Sequence, residues 1–556
     1  MTELGRDHTA EPPMSVSPVV GASPSIKRHG VASEADWRTI PEIRAEIADL
    51  VRRHTSDSLS IAEALCDRHP ADAVAFFGVD PSLAVTNLTY GELGERSRRL
   101  ASVLRRRGVR AGTRVGVLMG KNLQLPVVLL ALWRLGAVHV PLFTAFAGPA
   151  IALRLEGAGA TLVIADADQC SKVADVGVDV LPTGPSLDAQ ILEAPELTDS
   201  VAVGSDGAFI EIYTSGTTGK PKGVVVPGFA LAAFTAYMTY GLDVRSEDMF
   251  WNAADPGWAY GLYYGIVGPM ALGASNILLN AGFSTESTAQ VLERLGVTNF
   301  AASPTVYRAL KRDGLALEQM LRVASSAGEP LTADVSTWSA NALGATVRDH
   351  WGQTEHGMAI VTAWDPRLGT EEVPGSMGIA MPGFVAGIVG ECIALSVSQS
   401  PLMWFRGYVD APIQTGERFT PDGEWYLSGD VGREIGGRFY FAARDDDVIL
   451  AAGYRISPFD IESIIVTDDA VAEAAVVGRP DEIRGEVVEA FVVINEDAKV
   501  DGLEGRLQTA VRNHYGAHAY PRRVHVVARL PKTPSGKVQR YILRKLGVDA
   551  VRPDDA

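Results

Sequence analysis

The sequence predicts a layered α/β protein followed by a second, smaller α+β unit. Three observations predict this class. Helical patterns alternate with short β-rich runs from residue 59 to about residue 400, the texture changes near residue 401, and 556 residues exceed what one growing core accommodates.

Taken in order, "YGELGERSRRLASVLRRRG" (90–108) reads as an amphipathic helix with a basic outer face, and "RVGVLM" (114–119) as the strand after it. "LPVVLLALWRLG" then "AVHVPLF", and "STAQVLERLG" then "VTNFAASP", repeat the same grammar of helix, glycine cap and strand. Such alternation predicts largely parallel sheets. Gly157 and Gly159 precede the strand-like "TLVIAD", so they end a helix and are not a dinucleotide fingerprint. Residues 256–285 carry no charge over a span long enough to cross a bilayer, yet Pro256 and Pro269 interrupt them; a buried helix plus strand is expected. Beyond residue 401, "MWFRGYV", "GEWYLSGDVG" and "GRFYFAARDDDVILAAG" read as short aromatic strands between glycine-rich turns. "SPFDIESIIVTDDAVAEAAVVG" then restarts helix and strand, with Ser457 and Pro458 at the helix start. The charged "RDDD" (444–447) marks the boundary before a C-terminal unit of about 100 residues.

Composition narrows the function. With 47% hydrophobic and 21% charged residues the chain is an ordinary globular protein. Cys66, Cys170 and Cys392 have no pairing or metal-ligand spacing, which fits a reducing cytoplasm. Residues 1–35 are polar, rich in Pro and Ser, and without an apolar h-region; they read as a disordered leader and not as a signal peptide. A net charge of −17 argues against general nucleic-acid binding. Residues 506–545 nonetheless hold ten Lys or Arg and no acid, either a solvated basic face or a local positive field suited to a small polyanion.

The loop "YTSGTTGKPKGVVVP" (213–227) carries the first chemical signal. A Walker P-loop fails, because only Thr217 and Thr218 separate Gly216 from Gly219 and Lys220 is followed by Pro221. The stretch still suits phosphate: glycines let backbone N–H groups converge on an anion, hydroxyls add donors, and Lys222 adds a point charge. A polar surface turn is the plain alternative.

Five further segments follow that loop in order: "SSAGEP" (325–330), "DHWGQTEHG" (349–357), "YLSGD" (426–430), "ARDDDVILAAGYRISPFDIE" (443–462) and "PKTPSGKVQR" (531–540). Together they resemble the AMP-forming acyl-CoA synthetases of the adenylating superfamily, over about residues 59–548. "VILAAGYRISPFDIE" with "RGEVVEAFVV" looks most similar to the medium-chain members. The resemblance implies a large N-terminal domain (36–443) of layered sheets with flanking helices plus a distorted β-barrel. It also implies a hinge at 444–447 centred on Asp446, a small mobile α+β lid (448–548) and a tail (549–556). The implied chemistry uses ATP, Mg²⁺ and CoA: a carboxylate attacks the α-phosphorus, pyrophosphate leaves, and a thiol takes the acyl group from acyl-AMP.

The resemblance also implies roles, residue by residue. Thr214, Ser215, Gly216, Thr217, Thr218, Gly219, Lys220, Pro221 and Lys222 would cover the β- and γ-phosphates. Gly328, Glu329 and Pro330 would lie against adenine. The segment Asp349, His350, Trp351, Gly352, Gln353 and Thr354 would complete the nucleotide site, with Thr354 and Glu355 holding phosphate and Mg²⁺. Asp430 would accept the ribose hydroxyls and Arg444 would contact the nucleotide. Lys537 would reach the substrate carboxylate and α-phosphate. After rotation of the lid, Ala452, Gly453 and Tyr454 would line the pantetheine tunnel, and Arg484 and Arg512 would meet CoA phosphates. A lysine that some members carry before "YP" is Ala519 here.

The acyl pocket would be formed by Trp258, Ala259, Tyr260, Ala327 and Gly352. Acetate-specific relatives place a Trp before the Gln of "QTE", where this chain has Gly352, so an acid larger than acetate is expected: medium-chain, branched, cyclic or aromatic. A backbone need for positive φ is the other reason for a glycine there. A carrier-protein thiol or an amine stands as the alternative acceptor. No Gly-x-Ser-x-Gly elbow supports a hydrolase.

Overall fold

A computed structural model describes residues 36–214, 221–445, 447–451, 454–481, 485–495, 498, 500–516, 519–533 and 537–546. The leader, the tail, loop residues 215–220, and Asp446, Ala452, Gly453 and Arg484 lie outside the described residues; of Tyr454 only the backbone is described.

Two six-stranded sheets form the centre of the large domain. The first runs Asp179–Pro182, Leu162–Ala165, Arg114–Leu118, Val138–Pro141, Ala208–Thr214, Lys222–Pro227, parallel except for its last strand. The second runs Ile379–Ala380, Gly357–Val361, Arg348–Gln353, Val323–Ala327, Asn299–Ala302, Phe250–Asn252, and its last four strands are parallel. The expected helix and strand pairs are present at Tyr90–Arg106 with Arg114–Leu118, Gln124–Arg134 with Val138–Pro141, and Thr285–Arg294 with Asn299–Ala302. Thr89 and Glu92 cap the first of these helices reciprocally, each satisfying the other's backbone N–H. The second helix is buried on every side. Its one charge, Arg134, is tolerated because Asp67 takes both guanidinium N–H groups at 2.6 and 2.8 Å. Gly159 ends the helix Gly148–Ala158 in the left-handed region at φ 61°, as its position before a strand predicts.

The uncharged stretch 256–285 folds into short buried helical turns and the strand Asn276–Leu279, which pairs with Val74–Val79 inside the core. Among the described residues no helix is long and apolar enough to cross a membrane. Cys66, Cys170 and Cys392 are all free.

The change of texture comes earlier than expected. A four-stranded antiparallel sheet, the curved half-barrel of the fold, begins at Ala386 and runs Ala386–Val389, Cys392–Ser396, Trp425–Ile435, Arg438–Arg444. "MWFRGYV" is not one of its strands. Leu402, Met403, Trp404 and Phe405 are all buried, but the segment pairs with no strand and makes only an isolated bridge from Tyr408 to Val224.

Residues after 448 build a separate C-terminal domain. Strands Tyr454–Ile456, Ile449–Ala451, Gly485–Ile494 and Val471–Asp481 form its sheet, with Arg523–Val526 parallel to Gly485–Ile494. Helices Pro458–Ile465 and Leu503–His514 close a core of Ile449, Ile461, Val476, Val492 and Leu507. Ser457 caps the first helix through Asp460 N with Pro458 at its first position, the start the sequence predicts.

The basic segment is less of a positive field than its composition suggests. Arg506, Lys532, Arg540 and Arg544 pair with Asp468, Glu473, Glu462 and Asp447 of the preceding stretch. Arg540 grips Glu462 at 2.7 and 2.8 Å, while Val476 N donates to the same carboxylate. Arg540→Ala would leave Glu462 without a cation in a nearly closed site. We expect the C-terminal domain to lose about 3 kcal/mol, read as faster hydrogen exchange confined to residues 449–546.

Candidate active site

One cavity of about 2260 Å³ opens where the C-terminal ends of the parallel strands Val323–Ala327 and Arg348–Gln353 meet the half-barrel and the C-terminal domain. Ligands in open α/β sheets bind at such strand ends. It is lined by Thr214, Lys222, Trp258, Ala259, Tyr260, Ala327, Gly328, Glu329, Pro330, Asp349, His350, Trp351, Gly352, Gln353, Thr354, Glu355, Asp430, Arg444 and Lys537. Pro221 and Arg512 stand outside it; the Arg512 guanidinium stacks 3.8 Å over Tyr520.

Asp430 is the most constrained of these groups. Trp351 Nε1 and Gln353 Nε2 each donate to its Oδ2 at 2.9 Å, and Arg444 Nε lies 3.1 Å from Oδ1. Gln353 is itself locked, donating to Ser428 O and accepting from Tyr426 Oη. Trp351 and Gln353 therefore aim Asp430 and have no donor left for a nucleotide. His350 has the same limitation: both ring nitrogens are engaged, by Tyr237 Oη and Thr362 O.

Glu355 is 7% exposed and accepts from Tyr408 Oη at 2.7 Å; Arg418 Nε donates to the same hydroxyl at 3.2 Å. Lys222 Nζ lies 5.1 Å over the Tyr408 ring. Sequence reading missed Tyr408 and Arg418, since nothing in an irregular segment signals contact with a carboxylate 53 residues away. Glu329 is held by Thr305 Oγ1 and by Arg308 at 2.5 Å, and Gly328 has φ 98° with open space where a Cβ would stand. A side chain there would be strained and would fill that space.

Among the described residues no three His, Cys, Asp or Glu side chains cluster to hold a metal. Mg²⁺ needs no such cage, because one carboxylate plus substrate phosphates suffices, and Glu355 fits that role. Asp349 has its carboxyl pushed up to about 8 by burial. Asp255 and Lys121 lie on another wall, each shifted toward its neutral form by burial and drawn back by the other's charge.

Lys537 enters this site from the C-terminal domain. Thr533 N donates to Lys537 O and Thr533 Oγ1 accepts from Lys537 N, fixing the loop base. Its side chain is open to the cavity, so the desolvation it feels is that of a cleft and not of a packed core. That cleft, and then the Arg444 charge, lower its pKa; Glu329, Asp430 and Glu355 pull the other way.

The residues expected to form the acyl pocket all line this cavity. Trp258 packs against Phe143 and Phe146, and Ala259, Tyr260 and Ala327 line the same cavity. Gly352 lines the cavity as well, and positive φ is not the reason it is a glycine. A Cβ there would lie 2.2 Å from Gly357 O and 2.6 Å from Met358 Cα, at an irregularity in the pairing with the next strand. Gly352→Trp is thus expected to displace strand Gly357–Val361 and lower Tm by several degrees before it alters acid choice, measured by thermal unfolding.

The arrangement brings a lysine, a carboxylate, Thr214 and Lys222 at the two ends of the phosphate-type loop, and an apolar recess to one cavity. The profile of the AMP-binding enzyme family matches residues 62–393, and that of the AMP-binding enzyme C-terminal domain matches residues 460–537. The chain belongs to the AMP-binding enzyme family. It is 34% identical over 490 residues to acetyl-coenzyme A synthetase of Bacillus subtilis, covering 82% of this chain and 84% of that one. It is 32% identical over 506 residues to the mouse mitochondrial acyl-coenzyme A synthetase ACSM3, covering 85% and 86%. The crystal structure of Brucella canis acyl-CoA synthetase superposes with TM-score 0.71 and 38% identity over 93% of this chain and 99% of that one. This family member is thus an AMP-forming acid–CoA ligase that uses ATP.

Proposed function

We propose that the enzyme adenylates a carboxylic acid larger than acetate, using Mg²⁺-bound ATP, and passes the acyl group to CoA at the same site after its C-terminal domain turns about Asp446. The observation that carries this reading is the position of Lys537: a cation from the C-terminal domain stands among Glu329, Glu355, Asp430 and Arg444 of the large domain. An ammonium placed there offsets charge as pentavalent phosphorus forms. Asp430, pre-aimed by Trp351 and Gln353, would accept the ribose hydroxyls, and Gly328 would let the backbone approach adenine. Glu355 would hold Mg²⁺, whose charge would neutralise the phosphates. For the second step Lys537 has to leave, and residues 452–454 and Arg484 would then face the thiol.

Ala259 and Ala327 support the larger acid, each leaving space where a longer side chain would stand. Each additional buried methylene of substrate would contribute about 0.8 kcal/mol. Ala327→Phe is expected to lower kcat/KM for six-carbon and larger acids about tenfold or more while sparing acetate, read as acid-dependent AMP and acyl-CoA formation. Equal losses for acetate and for long acids would remove Ala327 from the pocket.

A further inference from the structure

The wall of the proposed acyl recess carries a chain of hydrogen bonds with a fixed direction. Thr362 O is a carbonyl and can only accept, so the proton of His350 sits on Nε2, 3.2 Å away. Burial holds the ring neutral, pushing its pKa down to about 3. Nδ1 therefore offers a lone pair, and Tyr237 Oη donates to it at 2.7 Å. Tyr237 has only one proton. Its 3.2 Å contact with Tyr260 must then run the other way, with Tyr260 donating to Tyr237. Tyr260 lines the cavity, as do Ala259 and Ala327, and with its own proton turned toward Tyr237 its oxygen keeps a lone pair free to accept.

We infer that Tyr260 determines specificity by accepting a hydrogen bond from the acyl group, so that the preferred acids carry an O–H or N–H donor: hydroxy- or amino-substituted ring or chain acids. This rests on the recess being the acyl pocket. A substrate group that could only accept would have to take the proton from the Tyr260–Tyr237 contact and leave a buried oxygen without a donor.

The test is acid-dependent pyrophosphate exchange with matched series: benzoate against its hydroxy, amino and methoxy isomers, and octanoate against its hydroxy analogues. In the wild type at least one donor-bearing acid should exceed both its parent and its methoxy counterpart in kcat/KM by about tenfold. Tyr260→Phe should bring that ratio close to one. Tyr237→Phe removes the inner acceptor and frees the Tyr260 proton, so it should shift preference toward the methoxy acid; circular dichroism checks that both variants are folded. Ratios near one throughout in the wild type, or a ratio that Tyr260→Phe leaves untouched, would overturn the inference and leave the ligase reading standing. Failure of every acid to support exchange would instead overturn the reading beneath it.

Discussion

Lys537→Ala is expected to lower acid-dependent pyrophosphate exchange by about a hundred- to a thousandfold, while thioester formation from supplied acyl-AMP and CoA is largely retained. The difference follows from where the ammonium stands. It is a cation from the C-terminal domain that feels Glu329, Glu355, Asp430 and Arg444 across the cavity. Its charge is useful only while the α-phosphorus is being attacked, so the thiol step has no need of it. The same environment predicts a pH limb. The lysine is held below its ordinary pKa, so its cation is present at low pH and lost as pH rises through that lowered value. Exchange should therefore fall on the alkaline side earlier than an ordinary lysine would allow, and Lys537→Arg should move that limb upward. Equal loss of both half-reactions in Lys537→Ala would remove the assignment.

Asp430→Ala should raise the KM for ATP by about a hundredfold. The carboxylate is the shared acceptor for Trp351 Nε1 and Gln353 Nε2 and faces Arg444. Removing it strips the acceptor proposed for the ribose and also leaves two buried donors without a partner. The two effects separate with 2′-deoxy-ATP. If Asp430 holds the ribose, the wild type discriminates strongly against the deoxynucleotide and the variant hardly at all. A variant that weakens ATP and keeps the wild-type discrimination would make Asp430 a structural brace only.

Much of this architecture was legible in the sequence, for physical reasons. The helix, glycine and strand units are local, set by periodicity and by residues such as Gly159 whose backbone conformation few others tolerate. The segments 325–330 and 349–357 line one cavity because parallel strands bring their C-terminal ends together. What stayed hidden depends on direction and on long-range closure. Trp351, Gln353 and His350 belong to a nucleotide motif, yet their side chains turn to hold Asp430 and the tyrosine chain. Gly352 lines the cavity as expected, but the close backbone of the adjacent strand, which a Cβ would meet, could not be read from the sequence. The buried run Leu402–Phe405 looked like a strand because aromatic content was visible and the lack of a pairing partner was not. The basic C-terminal segment looked unpaired because its acids lie earlier in the chain.

The most direct measurement is isotope exchange between pyrophosphate and ATP, without CoA, across acids from acetate to ring-bearing and medium-chain carboxylates. The account predicts acid-dependent exchange that peaks well above acetate in size and disappears in Lys537→Ala. Exchange that is strongest with acetate, or that no acid elicits, would contradict it.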